Sequence, residues 1–313
     1  MARSENPLRV KRKIMAEEQK IQALDTPAKP LLSGRLRKWL RFARQKPLGA
    51  TGVAILVLTA IIGVIGPSMT PHEPLKADAY AILLSPNNIY WFGTDVMGRD
   101  ILTRVILGAR VSLYVGIVSM LAAATLGSII GVTSGYFGGK YDIIIQRFVD
   151  ALSAFPSLLL AIALMAAFGQ SLNNIILALA IIFTPRFTRV IRAVTLSLKE
   201  VPYIEAARTI GCSNIRIMAL HVFPNTFASV MVVSTASVGT MIIIEASLSF
   251  LGVGTPSHII SWGAMLSGDT QAYFSGAPWI GIFPGMALTI VVFGINVFGD
   301  ALRDILDPKL RGR

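Results

Sequence analysis

Six predominantly apolar stretches punctuate the chain, at residues 48–69, 111–133, 143–168, 175–194, 226–251 and 279–302. Each is rich in Leu, Ile, Val and Ala. Each reaches the roughly 20 residues that an α-helix needs to cross about 30 Å of hydrocarbon. None alternates apolar and polar positions with a period of two, which argues against a membrane β-barrel. The pattern predicts an all-α polytopic membrane protein with six transmembrane helices. It divides the chain into a polar tail (1–47), a membrane domain (48–302) and a short polar end (303–313). Within the domain, loops at about 70–110 and 252–278 fall on one side, and a loop at about 195–225 falls on the other. Arg147, Asp150, Arg186 and Arg189 interrupt the third and fourth stretches and blur their ends.

Composition agrees with this pattern. The 313 residues are 53% hydrophobic and only 15% charged, against about 25% charged in an ordinary soluble domain. The first apolar stretch begins after 47 residues and is long, so it reads as a retained span and not as a signal peptide. The single cysteine, Cys212, excludes an intramolecular disulfide and gives no metal cluster.

The formal net charge is +12, and its placement orients the chain. Thirteen Lys/Arg precede the first span. With six spans, that side also receives Lys140 and Arg147, the group from Arg186 to Arg216, and Arg303 onward. The other side receives Lys76, Arg99, Arg104 and Arg110, and residues 252–278 contain no Lys or Arg. Basic residues remain cytoplasmic during insertion, so both termini are expected in the cytoplasm. The same rule, together with anionic lipid, accounts for the basic balance without invoking nucleic acid. The tail segment "RVKRKIMAEEQKIQALD" has some amphipathic character, and "TPAKP" breaks it.

The loop at 205–225, "EAARTIGCSNIRIMALHVFPN", is too polar to span lipid and too amphipathic for a plain linker. Ala206 and Ala207 favour a short helix. Gly211 can end it at positive φ. Ser213 is a candidate N-cap for a second helix reaching about His221. Pro224 suits the first turn of the next span. Two uses fit these features: a surface hairpin resting on lipid, or a helix whose small residues admit a partner's backbone.

This stretch resembles the EAA loop of ABC-importer permeases: Glu205-Ala206-Ala207, then Gly211, then an apolar-Pro ending at Phe223-Pro224, where the family often has Leu-Pro. Further blocks occur in order: "FGTDVMGRDILTRVILGARVSL" (92–113), "FPSLLLAIAL" (155–164), "EASLSFLGVG" (245–254), "WGAML" (262–266) and "GDALRDILDPKLR" (299–311). Together they resemble the C-type subunit of the dipeptide/oligopeptide/nickel permeases, from about residue 46 to 311. A departure is "TPSHIISWG", with only Pro256 where the family has a Pro-rich stretch.

The resemblance implies a type I ABC-importer fold in a bacterial cytoplasmic membrane. It implies a heterodimer with a B-type permease subunit, two ATPase subunits that bind ATP and Mg, and an external substrate-binding protein. It implies that Glu205, Ala206, Ala207, Gly211 and Pro224 belong to the coupling element that docks into the ATPase. The substrate implied is a di- or oligopeptide, with nickel and glutathione as alternatives.

Catalytic chemistry finds little support in the residues themselves. A phosphate-binding loop would need Gly at Ser134 and Ser or Thr at Tyr141 in "SGYFGGKY", so ATP hydrolysis is assigned to another chain. His72, His221 and His258 are scattered over separate loops, and no clustered Cys/His set exists. Neither a catalytic residue, a metal ligand nor a cofactor is therefore assigned to this chain. Glu245 is the acid placed deepest in a span, and an intramembrane carboxylate is a functional candidate by default. It reads as a gating or structural group, or, in a different class of transporter, as a proton relay acting without an ATPase. Asp150 and Arg147 are one helical turn apart and are expected to pair. Gly127 and Gly131 form a small-xxx-small pair suited to close helix contact.

Overall fold

The computed structural model describes residues 46–256 and 258–306. Nearly all of the expected polar tail (1–47), and residues 307–313, lie outside the described residues. The helices are α1 (Pro47–Met69), α2 (Ile101–Phe137), α3 (Gly139–Ser153), α4 (Ser157–Phe168), α5 (Leu172–Leu198), α6 (Pro202–Thr209), α7 (Asn214–Phe250), α8 (Trp262–Met265), α9 (Asp269–Tyr273) and α10 (Trp279–Leu306). No strand is formed among the described residues; the extended backbone there makes one isolated bridge, between Thr94 and Asp100.

Five helices, α1, α2, α5, α7 and α10, are each long and apolar enough to cross a membrane. The third apolar stretch is not one straight helix. It bends by 91° between α3 and α4 and makes a sixth span only as a bent pair. The cause is local. Pro156 has no N–H to continue the helix, and it disfavours helical backbone at Phe155. Its 12 residues make α4 only about 18 Å long, short of the hydrocarbon thickness. Asp142, on α3, is clamped by Arg192 of α5: Nε donates to Oδ1 at 2.6 Å, and Nη2 donates to Oδ2. Ser134 also donates to Asp142.

α2 begins ten residues before the expected 111. Asp100 caps it, accepting the Thr103 N–H at 3.0 Å. Arg104, which falls in the loop expected at about 70–110, folds back to Asp95 at 3.7 Å and donates to the Pro74 carbonyl at 3.3 Å. At 37 residues α2 is roughly 55 Å long, so it overshoots the hydrocarbon.

α2 and α5 pack backbone to backbone. A Cβ on Gly131 would stand 2.7 Å from the Thr188 carbonyl oxygen, and one on Gly127 would stand 2.4 Å from Phe187 Cβ. The small-residue pair read from the sequence is therefore a close helix contact, and Gly135 extends it. Around this seam lies a core of Met165, Ile175, Leu179, Phe187, Met241 and Leu248. α1 and α10 meet in the same manner, with Gly52 against the Gly294 carbonyl.

Lys46 Nζ lies 2.5 Å from Asp304, so the start of α1 and the end of α10 share one side. The end of α1 packs on the start of α2, with Gly66 against Ile106. The far end of α2 is thus on the side of Lys46, and this is where α6 and the start of α7 are seated. The opposite side is built from residues 70–100 and the segment holding α8 and α9. There Phe92 stacks on Phe283 at 4.0 Å, and Trp279 Nε1 donates to the Thr94 carbonyl.

Candidate functional site: the α6–α7 hairpin and Glu245

The hairpin is built from its glycine outward. α6 ends at Thr209 with Ile210 as its C-cap, and Gly211 takes φ +83°. The Cys212 N–H then reaches the Ala207 carbonyl at 3.0 Å, and the Gly211 N–H reaches that of Arg208 at 2.9 Å. This paired closure satisfies carbonyls that the helix end would leave open. A Cβ at Gly211 would meet nothing within 4 Å, so the requirement for glycine lies in the backbone conformation alone. Ser213 then caps α7, its hydroxyl accepting from the Arg216 N–H.

The second helix does not stop near His221 as the sequence suggests. It widens into a π-helical turn at Met218–Val222 and continues as α-helix through Phe250. Pro224 therefore lies inside a continuous helix. In a regular α-helix its ring would strike the carbonyl four residues back. The wider turn relieves that clash. The Phe223 N–H bonds to the Met218 carbonyl, and Asn225 Nδ2 donates to the His221 carbonyl at 2.6 Å.

One face of the hairpin is pinned to the bundle. Ile204, Ala207, Ile217 and Val222 are buried against Val132, Tyr136 and Ile191. Outside the hydrocarbon, burying each of the two isoleucines contributes about 2 kcal/mol. Tyr136 Oη donates to Asn214 Oδ1 at 3.0 Å, and the Arg208 guanidinium lies 5.1 Å from the centre of the Tyr136 ring. Ala207 thus faces its own core, and of the two alanines Ala206 is the one presented outward with Glu205. Cys212 is half-buried against the same core rather than bare at the tip.

The outer face carries what the sequence reading missed. Ile210 is 80% exposed and Ile215 is 76% exposed. Both flank the Gly211 turn, with exposed Arg208 and Arg216 beside them. The signal was present as two isoleucines in an otherwise polar turn, but their direction depends on the φ of Gly211.

Glu245 is fully buried in α7. Ser249 donates to its Oε1 at 3.0 Å, and Ser112 of α2 approaches Oε2 at 3.4 Å. Ser249 continues to Thr255 at 3.1 Å, and Thr255 to Ser261 at 3.2 Å. Ser261 caps α8. Trp262 donates to the Val105 carbonyl at 2.9 Å, and Gly263 lies so close to Ala246 that a Cβ would stand 2.4 Å away. The carboxyl therefore ties α2, α7 and the returning segment 252–265 together through hydroxyls. Among the described residues no ion pair engages it. Glu205 and Glu245 lie at opposite ends of the molecule, and the fold does not bring them together. Asp150 pairs with Arg189 of α5 at 3.0 Å and not with Arg147. α3 lies where Arg189 reaches it across the bend, which spacing within one helix could not reveal. Among the described residues no three His, Cys, Asp or Glu gather as metal ligands.

The chain matches the family described as "Binding-protein-dependent transport system inner membrane component" over residues 95–312. It is 39% identical over 275 residues to the dipeptide transport system permease protein DppC of Alkalihalophilus pseudofirmus, covering 88% of this chain and 90% of that protein. It is 40% identical over 275 residues to the glutathione transport system permease protein GsiD of an Escherichia coli strain, covering 88% of this chain and 90% of that protein. Among solved structures it resembles a chain of the MetNI methionine ABC transporter in an inward-facing conformation, with a TM-score of 0.52 and 18% identity. That match covers 65% of this chain and 96% of the other. At this identity the likeness speaks for the fold.

Proposed function

This chain belongs to the family of binding-protein-dependent transport system inner membrane components, and from that premise we propose how it works. It is a multi-pass permease subunit of an ABC importer, a non-catalytic membrane component that operates with a membrane-spanning partner and ATPase components. Our reading is that the α6–α7 hairpin is the coupling element. Ile210 and Ile215 seat in an apolar cleft of an ATPase subunit, while Glu205, Ala206 and the turn at Gly211 set the approach. The single observation that carries this is the pair of exposed isoleucines on an arm whose other face is packed against the bundle.

The finer assignments follow from the same reading. The chain pairs with a B-type permease subunit in a bacterial cytoplasmic membrane, with both termini inside. Two ATPase subunits bind and hydrolyse ATP with Mg. A binding protein delivers substrate to the face made by residues 70–100 and α8–α9. The cargo is a short peptide, a class that includes the dipeptides and glutathione named for its relatives. ATPase closure moves the hairpin, and the spans alternate between inward- and outward-open states. Pro224 shapes the π turn at the root of the arm. Glu245 holds the returning segment against α2 and α7, a structural and gating role in place of proton relay.

The test is assembly of the purified permease pair with its ATPase. Replacing Ile210 and Ile215 together by Asp removes two apolar anchors and adds charge where a dry contact is required. ATPase binding should fall by at least tenfold, since buried anchors of this kind each carry more than about 1.4 kcal/mol. Undiminished binding and transport in the double variant would falsify the assignment of this arm as the docking element.

A further inference from the structure

A pocket of about 170 Å³ opens on the side of the molecule opposite the hairpin. Asp95, Arg99 and Arg104 line it from the loop before α2 and from the first turn of α2, and Met265, Ser267 and Thr270 line it from the α8–α9 segment. Two cations meet one anion there, because Asp95 is the only acid among its described lining residues. Asp100, the next acid along the chain, is turned to Thr103 and His72 and is not part of the wall.

The two arginines are held in place but not used up. The Arg104 side chain is only 10% exposed. A guanidinium has five N–H groups, and one taken this far from water is normally met by acceptors. Here Nη1 donates to the Pro74 carbonyl at 3.3 Å, and Nε stands 3.7 Å from Asp95. Asp95 is committed to its own loop: Oδ2 accepts from Arg99 Nε at 2.7 Å, and Oδ1 accepts from the backbone N–H groups of Met97 and Arg99. Among the described residues no acceptor engages Nη2 of Arg104 or either Nη of Arg99. On the other wall, the Ser267 and Thr270 hydroxyls donate to the Ala264 and Met265 carbonyls of their own turn. A partly enclosed pocket with spare guanidinium donors suits an oxyanion, and the planar fork of arginine matches a carboxylate best.

Resting on the reading above that the cargo is a short peptide, we propose that this pocket binds the cargo's C-terminal carboxylate, with Arg104 and Arg99 as the donors. Its volume is below the roughly 300 Å³ at which pockets for whole small molecules begin, so it has room for one end of a ligand. A C-terminal carboxylate is present whatever the side chains of a peptide, so a contact here engages cargo without reading its sequence. The far wall belongs to the segment tied to Glu245, since Ser261 caps α8 and its hydroxyl meets that of Thr255 at 3.2 Å. An occupant bridging Arg104 and α8–α9 therefore bears on the same hydroxyl network.

The test uses the full-length permease pair in mild detergent, without ATP. Modification of Arg99 and Arg104 by phenylglyoxal, an arginine reagent, is read by mass spectrometry of the digested chain. The probes are N-acetylglycine, which ends in a free carboxylate, and N-acetylglycinamide, which does not. At ten times its half-protecting concentration, N-acetylglycine should slow modification of both arginines about tenfold. The amide should leave the rates unchanged. In Arg104→Gln, Arg99 remains as the reporter and should lose its protection. Ser267→Trp, which fills the pocket and keeps both guanidiniums, should lose it as well. Asp269 follows Gly268 in the sequence, and its side chain lies outside the described residues; Asp269→Asn should leave the protection as it is. Equal rates with acid and amide would overturn the proposal. So would protection that appears only in Asp269→Asn, which would mean that this acid already fills the pocket, or protection by the external binding protein with none by N-acetylglycine. Because the assay needs neither ATP nor uptake, its failure would leave the importer reading standing.

Discussion

At the scale of single residues, Glu245 is the position where burial and chemistry pull hardest against each other. A carboxyl with 0% exposure is held by serine hydroxyls and no cation among the described residues. Glu245→Gln keeps the size and the acceptor oxygen, and its amide can donate to the same hydroxyls. Glu245→Leu removes both links to Ser112 and Ser249 and leaves the chain to Thr255 and Ser261 without its anchor. The expected outcome is a thermal midpoint close to wild type for the glutamine variant. The leucine variant should lose about 2–4 kcal/mol, within the range for breaking a buried polar network. ATP-driven uptake by the glutamine variant should survive collapse of the proton gradient. Uptake that needs the gradient and ignores ATP would revive the proton-relay role. The position of Glu245 in a span was legible in the sequence; its partners were not. Ser112 is 133 residues away, and only the packing of α2 on α7 brings them together.

At the scale of elements, the glycine seam between α2 and α5 sets the tolerance of the fold. Within a membrane, helices associate through close packing rather than through the hydrophobic effect. Gly131→Val places a branched side chain where even a single Cβ would sit 2.7 Å from a carbonyl oxygen. The helices must separate, which breaks the Arg192–Asp142 clamp and lifts α3. Detergent-solubilised Gly131→Val should melt well below wild type, by an amount set by about 3 kcal/mol, the upper end of the usual cost of overpacking. Gly211→Ala, where a Cβ would meet nothing within 4 Å, isolates the effect of backbone strain at φ +83° and should cost only about 1–2 kcal/mol. Equal losses in the two variants would sink the argument from close approach.

Element types were largely readable from the pattern, because runs of about 20 apolar residues have one stable form in lipid. Element ends were less readable. Pro156 marks the bend in the third span, yet the residues on both sides are apolar enough to mask it. α2 starts early because Asp100 caps it and Asp95 receives Arg104, a pairing across a turn that hydropathy does not register. Of the candidate site, the Gly211 turn was legible, since a left-handed turn has a residue signature. The seating of Ala207 inward and of Ile210 and Ile215 outward was not, since it depends on which way that turn aims the arm.

At the scale of the whole molecule, sidedness rests on the charge bias, and Cys212 can report on it. The thiol lies in the hairpin, half-buried against Tyr136 and its neighbours. A membrane-impermeant maleimide should label the chain in inside-out vesicles and spare it in right-side-out vesicles. Partial burial should make that labelling slow, and a docked ATPase should slow it further. Labelling from the outside would reverse the topology. The ion pair between Lys46 and Asp304 gives a second marker for the same side, because it joins the two ends of the described chain.

The unbroken run of α7 has a mechanical meaning. From Asn214 to Phe250 it is a single shaft of 37 residues, about 55 Å long, without a hinge loop between the arm and Glu245. A push at the Gly211 turn therefore meets no loop in which to dissipate. Displacement must travel the shaft as a tilt, a twist or a shift, and it arrives at the hydroxyl cluster around Glu245 on the far side. The one compliant joint is the π turn at Met218–Val222, where the ladder of backbone bonds changes its step. If the arm is the coupling element proposed above, the torsional stiffness of these five residues sets how much of a stroke at one face reaches the other.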